Sequence, residues 1–174
     1  MEMAFFATVA QSGFAEQIRQ LLAMADKEFI PPLSARSSTT QSSLSGSSCL
    51  GGIDAYYCAM ENQPVIVALD NGCFAGFMAF KFDHTCEEIK RTPNVYASTC
   101  VVHPDHRGKG MMQAFYEEMI RLYPEIPLCT RTWSTNASHL RVLSKLGFSQ
   151  IACLKDHRGP GLDTVYYFRE ANGN

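Results

Sequence analysis

The sequence has no excess of basic residues and no long apolar run. Lys and Arg total 15 against 17 Asp and Glu, for a formal charge of −2. A surface that neutralises nucleic-acid phosphates needs a basic excess, so we expect a small or neutral partner and no nucleic acid. No segment approaches the roughly 18 consecutive apolar residues of a membrane span, so we also expect no membrane partner.

The seven cysteines are scattered, and no two of them form a CxxC pair. An odd count without such pairs argues against a disulfide framework and against a structural zinc site. The N-terminal residues lack the basic flank of a secretory signal. These features predict reduced thiols, no bound metal and a cytoplasmic location.

Length and composition predict one domain over residues 1–174, because 46% of the residues are hydrophobic and can form a sizeable core. Hydrophobic periodicity predicts helices at 14–29 and 53–61, a helix from near Gly108 to Tyr123, and a helix at 136–146. It predicts strands at 4–10, 65–69, 74–80, 95–102, 128–133, 148–154 and 164–168. This order is typical of an α+β domain with a mostly antiparallel sheet flanked by helices.

Residues 34–48 are mostly Ser and Thr. Such a composition buries little apolar surface and predicts a flexible loop. The loop is either a surface insertion or a lid that orders over substrate, since long loops in compact domains are often functional.

The candidate site lies where the strand that ends at Val102 turns into the next helix. His103-Pro104 ends the strand, and Arg107-Gly108-Lys109-Gly110 leads into the helix. Glycines at such a turn let the backbone approach an anion, and the helix N-terminus offers unpaired N–H groups. The pattern therefore predicts a pyrophosphate site. It is neither a P-loop nor a dinucleotide fingerprint, because the further glycines and the Lys-Ser/Thr pair of those motifs are missing.

The stretch from Val95 to Ile120 resembles motif A of the GCN5-related N-acetyltransferase (GNAT) family. That motif is a strand ending V-x-P, then Q/R-x-x-G-x-G/A and an amphipathic helix. Asp105 stands where the family usually has Gln or Arg, and Met112 is bulky where a small residue is usual. Residues 136–148 resemble the family's motif B, in which an Asn is followed eleven and twelve residues later by Gly-Phe.

The resemblance implies that two central strands splay apart and that acetyl-CoA, as co-substrate, lies in the gap. Backbone groups of one strand would bond the pantetheine, backbone N–H groups of the turn would hold the pyrophosphate, and Asn136 would bond the pantetheine from the other side. The implied cofactor-binding residues are Cys100, Val101, Val102, Arg107, Gly108, Lys109, Gly110, Met111, Met112 and Asn136.

Neither acid–base residue of the family is present. Some members carry a Glu on the strand before the turn, but Val95–Val102 contains no carboxylate. Many members place a Tyr seven residues after the motif B Asn, where this chain has Leu143. Residues of the loop before the strand could reach the acceptor, although each reads more simply as a solvated surface residue; they are Asp83, His84, Glu87 and Glu88.

His139 is our candidate catalytic residue, because positions 136, 139 and 143 share one helix face. A histidine near the thioester could donate a proton to the departing thiolate. The simpler interpretation is that His139 only packs there.

These observations predict an N-acetyltransferase that moves acetyl from acetyl-CoA to a primary amine of a small molecule or amino acid. Two alternatives stay open. The run from Arg141 to Phe148 resembles the branch that contains ribosomal-protein-alanine N-acetyltransferases, which implies a peptide or protein α-amine. The missing Tyr and Glu would also suit a non-catalytic CoA-binding sensor.

Overall fold

The alternating apolar segments pair into one seven-stranded sheet in the computed structural model, which describes residues 1–41, 43–44 and 51–172. The strands are β1 (Glu2–Phe6), β2 (Val65–Asp70), β3 (Cys73–Phe82), β4 (Val95–Val102), β5 (Leu128–Trp133), β6 (Ser149–Leu154) and β7 (Thr164–Arg169). Their spatial order is β1-β2-β3-β4-β5-β7-β6, and only β4 and β5 pair in parallel. The predicted mostly antiparallel α+β architecture is confirmed.

Two pairs of helices cover the two faces of the sheet. The helices are α1 (Ala15–Ala25), α2 (Gly52–Cys58), α3 (Met111–Leu122) and α4 (Ala137–Lys145). Successive strand residues point to opposite faces, so Val65 and Val67 of β2 pack in the core beneath α1 and α2. The intervening Ile66 packs in the core beneath α3 and α4.

The boundaries differ from the predictions mainly in the N-terminal third. The first strand ends at Phe6 rather than residue 10, because its partner β2 begins at Val65, opposite Phe6. Helix α1 ends at Ala25 and continues as a single 3₁₀ turn at Asp26–Glu28, where the Asp26 carboxylate accepts hydrogen bonds from the backbone N–H and hydroxyl of Ser34. Strands β4 and β5 have the predicted bounds.

The described part of the Ser-rich segment packs against the domain. A 3₁₀ turn spans Leu33–Ala35, and Arg36, Thr39 and Leu44 are buried. The side chain of Thr39 accepts a hydrogen bond from Gln63 Nε2 at 2.9 Å. Buried side chains thus connect this part of the segment to the domain, and the flexible loop predicted for 34–48 stays a prediction. The prediction for residues 42 and 45–48 lies outside the described residues.

The six cysteines that the structure describes are free thiols. None of the helices in the described ranges is long and apolar enough to cross a membrane.

Candidate functional site

Strands β4 and β5 separate into an open cleft near the middle of the sheet. Their parallel pairing covers only Val95 to Ala97 on β4, opposite Leu128 to Thr130 on β5. Beyond Ala97, β4 continues to Val102 with no partner on its β5 side, and the two strands line a cavity of about 610 Å³. The predicted splay of the central strands is therefore confirmed. Backbone groups of β4 that face the gap are free to bond a ligand.

The turn after β4 forms one end of this cleft. Gly108 and Gly110 have φ angles of 76° and 77°, in the left-handed region that favours glycine. A Cβ at either position would meet no heavy atom within 4 Å, so the turn is open to an incoming group. Helix α3 begins directly after it, at Met111. A helix N-terminus behind an open turn is a suitable place for an anion.

Gly76 on β3 allows the end of β4 to lie close to β3. It pairs with Val102, and a Cβ at Gly76 would lie 2.6 Å from the carbonyl oxygen of Val101. A Cβ does not come this close to a carbonyl oxygen, so any side chain here would push the end of β4 away. The glycine thus fixes the position of the backbone that leads into the turn.

The basic side chains of the turn are already paired with acids. The guanidinium of Arg107 lies 3.0 Å from Glu28, and its Nε donates to the carbonyl of Val102 at 3.1 Å. Lys109 donates to the Asp70 carboxylate at 2.8 Å, and His106 Nδ1 lies 3.0 Å from the same oxygen. Hydrogen bonds from Lys109 and then His106 lower the pKa of Asp70. Arg107 lines the cleft, whereas Lys109 does not.

The cleft extends to the opposite face of the sheet through the side chains of β5. Residues Thr130 and Thr132 point to the α3 and α4 side, where Thr130 Oγ1 donates to the carbonyl of Ala97 and Thr132 Oγ1 accepts from Asn136. Because strand side chains alternate, Arg131 and Trp133 point to the other side. The ring of Trp133 packs against Phe29, with ring centroids 5.8 Å apart.

Three arginines gather at this second end of the cleft, and we call them the arginine cluster: Arg36, Arg131 and Arg158. Arg36 comes from the segment between α1 and α2, and Arg158 from the loop between β6 and β7. Their guanidinium groups lie over Phe29 and Trp133, at 5.5 and 5.7 Å from the ring centroids. Sequence reasoning missed this cluster, because its members lie far apart in the chain and form no motif.

The sequence profile of the acetyltransferase (GNAT) family matches residues 36–148, well over half of the chain. The chain belongs to the GNAT family. None of the curated proteins compared with the chain matches it.

Solved GNAT-type structures share the fold at low identity. The ribosomal-protein-alanine N-acetyltransferase of Brucella melitensis has a TM-score of 0.69 and 16% identity, over 98% of this chain and 99% of that one. The candidate acetyltransferase yncA of Salmonella typhimurium, solved with acetyl-CoA, has a TM-score of 0.67 and 19% identity, over 99% and 95%. An N-acetyltransferase of Staphylococcus aureus has a TM-score of 0.64 and 16% identity, over 98% and 99%. At these identities the likeness concerns the fold.

In this GNAT chain Asn136 caps helix α4. Its Oδ1 accepts from the backbone N–H of His139 at 3.4 Å, and its Nδ2 donates to Thr132 at 3.1 Å. The residue lines the cleft, yet its amide is engaged within the protein. Because Oδ1 also accepts from the hydroxyl of Ser138 at 3.2 Å, a ligand bond from Asn136 would use the remaining N–H of its amide, and the predicted cofactor role stays a prediction.

His139 lies deep in the wall of the cleft, and only 8% of its surface is exposed. Its Nε2 is 2.8 Å from the hydroxyl of Tyr116, which comes from α3. Burial lowers the pKa of His139 to about 4, so the ring is neutral at pH 7. Burial also raises the pKa of Tyr116. His139 lines the cleft, and the proton-donor role stays a prediction.

The acidic side chains of the loop before β4 do not line the cleft. Asp83 accepts from the backbone of Asn94, and the His84 ring packs on Tyr96 at 4.4 Å between centroids. Among the described residues that line the cleft, Glu28 is the one with a carboxylate. No group of three or more His, Cys, Asp or Glu side chains in the described ranges could hold a metal ion.

Proposed function

We propose that this GNAT protein is an N-acetyltransferase that moves an acetyl group from acetyl-CoA to a primary amine of a small molecule or amino acid. The nitrogen attacks the thioester carbon, the C–S bond breaks, and the products are the N-acetyl amine and CoA thiol. The observation that carries the proposal is the opening between β4 and β5, a single cleft with the glycine turn at one end and the arginine cluster at the other.

Acetyl-CoA would be held mainly by backbone groups. The N–H groups from Arg107 to Met112, at the open turn and the start of α3, would bind the pyrophosphate. The unpaired edge of β4 at Cys100, Val101 and Val102 would bond the pantetheine. Arg107 would exchange Glu28 for a phosphate oxygen when the donor binds. The yncA structure, which contains acetyl-CoA, supports this choice of donor.

Transfer would be direct, without an acetyl-enzyme intermediate. Cys100 is the thiol that lines the cleft, and burial raises its pKa to about 12. A protonated thiol is a poor nucleophile at pH 7. We therefore expect both substrates to be bound together before reaction, and mass spectrometry of the enzyme with acetyl-CoA alone to find no acetylated cysteine.

The departing thiolate needs a proton, and the donor we propose is the hydroxyl of Tyr116, with an Nε2–H of neutral His139 donating a hydrogen bond to the tyrosinate that remains. Tyr116 is one of the residues that line the cleft, and its hydroxyl is 2.8 Å from His139 Nε2. In Tyr116→Phe the ring stays and the proton is lost, so kcat should fall about 10²-fold with acetyl-CoA affinity nearly unchanged. His139→Ala should give a similar loss. If kcat is unchanged in both variants, the pair only packs the cleft.

The test of the proposed function is release of CoA thiol from acetyl-CoA over a panel of free amines and short peptides, with acetyl-CoA binding measured by calorimetry in parallel. Turnover of free amines supports the proposal. Turnover restricted to peptides identifies the alternative, a peptide or protein N-terminal acetyltransferase, for which the fold likeness to the Brucella melitensis enzyme is the supporting observation. Binding of acetyl-CoA without turnover of any amine identifies a CoA-binding sensor.

A further inference from the structure

The arginine cluster is unusual because two of its three positively charged side chains are buried. Arg36 and Arg158 are only 6% and 7% exposed, and Arg131, on the central strand β5, is partly buried. The three guanidinium groups repel one another. Burial and the proximity of Arg36 and Arg131 lower the pKa of Arg158 to about 9. Burial likewise lowers the pKa of Arg36, with Arg131 contributing.

The hydrogen-bond partners of the cluster are all neutral. Arg36 donates through Nε and Nη2 to the carbonyl of Pro31. Arg158 donates to the carbonyl of Ile30 and the hydroxyl of Thr164. Neutral acceptors orient a guanidinium group without compensating its charge.

Arg131 is the least satisfied member. Its Nη1 lies 3.4 Å from the hydroxyl of Tyr166, a long hydrogen bond. Its Nη2 is buried and has no hydrogen-bond partner among the described residues. A buried donor without an acceptor is costly in a folded protein, and the cost is larger for a charged group. An anionic acceptor satisfies a charged donor of this kind best.

No carboxylate of the described residues supplies that partner. None of the ion pairs within 4 Å involves the cluster, and the nearby acids are engaged elsewhere: Asp26 with Ser34, Glu28 with Arg107 and Asp163 with Lys155. The residues outside the described ranges, 42, 45–50 and 173–174, contain no Asp or Glu in the sequence. The compensating side-chain charge therefore does not come from this chain.

The cluster lies across the sheet from the glycine turn. Thr130 and Thr132 of β5 face α3 and α4, and the intervening Arg131 faces the α1 and α2 side. Phosphates of a donor held at Gly108 and Gly110 thus belong to one face, and the arginine cluster belongs to the other. An anion bound by the cluster would be part of the second substrate.

We propose that the arginine cluster binds the carboxylate of the acetyl acceptor, and that the acceptor is an amino acid rather than an amine without a carboxylate. The inference deepens the proposed function and rests on it for the donor and the reaction. A guanidinium group matches a carboxylate with two parallel hydrogen bonds. Phe29 and Trp133 form the apolar wall against which the body of the acceptor packs. Three positive charges favour acceptors with two carboxylates over those with one.

The experiment uses the twenty standard amino acids, each beside its α-carboxamide, as acceptors. The pair differs only at the carboxylate, and the amide has the less basic amine, which biases the comparison against the proposal. We expect kcat/KM for the best amino acid to exceed that for its amide by about 10²-fold or more, as for loss of a buried charged partner. Aspartate and glutamate should rank highest. A phosphonate analogue of the best acceptor tests whether the cluster accepts phosphorus oxyanions as well.

Variants of the arginine cluster test whether it causes the preference for acids over amides. Arg131→Met and Arg158→Met should each reduce the acid-to-amide ratio about tenfold or more and leave the KM for acetyl-CoA within about twofold. Arg158→Lys keeps a charge but not the paired hydrogen bonds, so its acid-to-amide ratio should lie between those of the wild-type protein and Arg158→Met. The matched control is Arg141→Met, which removes a cleft-lining positive charge on α4 and should leave the ratio unchanged. Thermal unfolding of each variant identifies any that fails to fold.

Binding in the absence of transfer separates this inference from the proposed function. Calorimetry with glutamate and with glutamate α-amide, in the presence of CoA, should give tighter binding of glutamate, which has one carboxylate more, and Arg131→Met should remove most of the difference. If glutamate binds in this way but no amine is acetylated, the anion site stands and the proposed transfer is wrong. Equal turnover of acids and amides, or variants that change only the KM for acetyl-CoA, would overturn the anion site.

Discussion

The glycine turn offers a test in which a single charge distinguishes binding from folding. Gly110→Asp and Gly110→Asn place side chains of the same shape at a position whose φ is 77°. Asn and Asp are the non-glycine residues that tolerate this region best, so both variants carry a similar backbone strain, about 1 kcal/mol. A Cβ there meets no neighbouring atom. The two variants therefore differ only in the negative charge.

The charge has opposite effects on the fold and on the proposed ligand. A carboxylate at the N-terminus of α3 interacts favourably with the helix dipole, so Gly110→Asp should unfold at the same temperature as Gly110→Asn or slightly above it. A phosphate about 4 Å from that carboxylate is repelled by about 1 kcal/mol in bulk water and about 4 kcal/mol at a partly shielded surface. Because Gly110 is exposed, about 2 kcal/mol is reasonable, which corresponds to about a 30-fold loss of affinity.

Isothermal titration with acetyl-CoA measures this difference directly. We expect Gly110→Asn to bind within about fivefold of the wild-type protein, as about 1 kcal/mol of strain allows, and Gly110→Asp about 30-fold more weakly than Gly110→Asn. The gap should narrow as salt rises from about 0.1 M to 1 M, because the screening length falls from about 10 Å to 3 Å. Equal affinities for the two folded variants would show that the turn does not hold the phosphates.

Three other perturbations have effects whose direction follows from the structure. Burial lowers the pKa of His139 from 6.5 to about 4. Between these two values the histidine binds a proton mainly in the unfolded chain. The wild-type protein should therefore lose up to about 3 kcal/mol of unfolding free energy as the pH falls from 6.5 to 4. Urea unfolding across that range should show a shallower loss for His139→Gln, and parallel pH profiles would contradict the assignment. Glu28→Gln releases Arg107 from an exposed ion pair, so calorimetry should find acetyl-CoA bound up to about fivefold more tightly; weaker binding would show that Glu28 supports the site. Gly76→Ala forces the end of β4 to shift, and should lower the unfolding free energy by about 1–3 kcal/mol and weaken acetyl-CoA binding; wild-type values of both would refute the close approach.

The parts of the fold that local patterns determine could be predicted from the sequence. Strand β4 ends at His103-Pro104, and β5 begins directly after Pro127, so the bounds of both strands were predictable at these ends. The hairpin at Asn71-Gly72 was also predictable, since both residues adopt the positive φ that its turn requires. Strand β1 was misplaced because its limits depend on where β2 begins, which is a property of the pairing rather than of the strand.

The candidate site likewise has one part that could be predicted from the sequence and one part that could not. The glycine turn is a contiguous motif, and its geometry follows from glycine and the helix N-terminus. The arginine cluster and the contact between Tyr116 and His139 are brought together by tertiary packing of segments distant in sequence. The period-two alternation of β5 could have placed Arg131 and Trp133 on one face, but nothing in the sequence indicates that Arg36 would join them there.

The arginines at the two ends of the cleft differ in exposure and in their partners, and this difference bears on how each end would bind its ligand. Arg107 is half exposed and paired with Glu28, so an incoming phosphate only has to replace one carboxylate by another anion at a solvated surface, which costs little. Arg131 is partly buried, and its buried Nη2 has no hydrogen-bond partner among the described residues, so a ligand bound there would add an interaction that this donor lacks. Discrimination between ligands is greatest where a buried polar group is left unpaired by the wrong one. On this argument the donor end of the cleft would bind loosely and exchange readily, while the arginine cluster would decide which amine is acetylated.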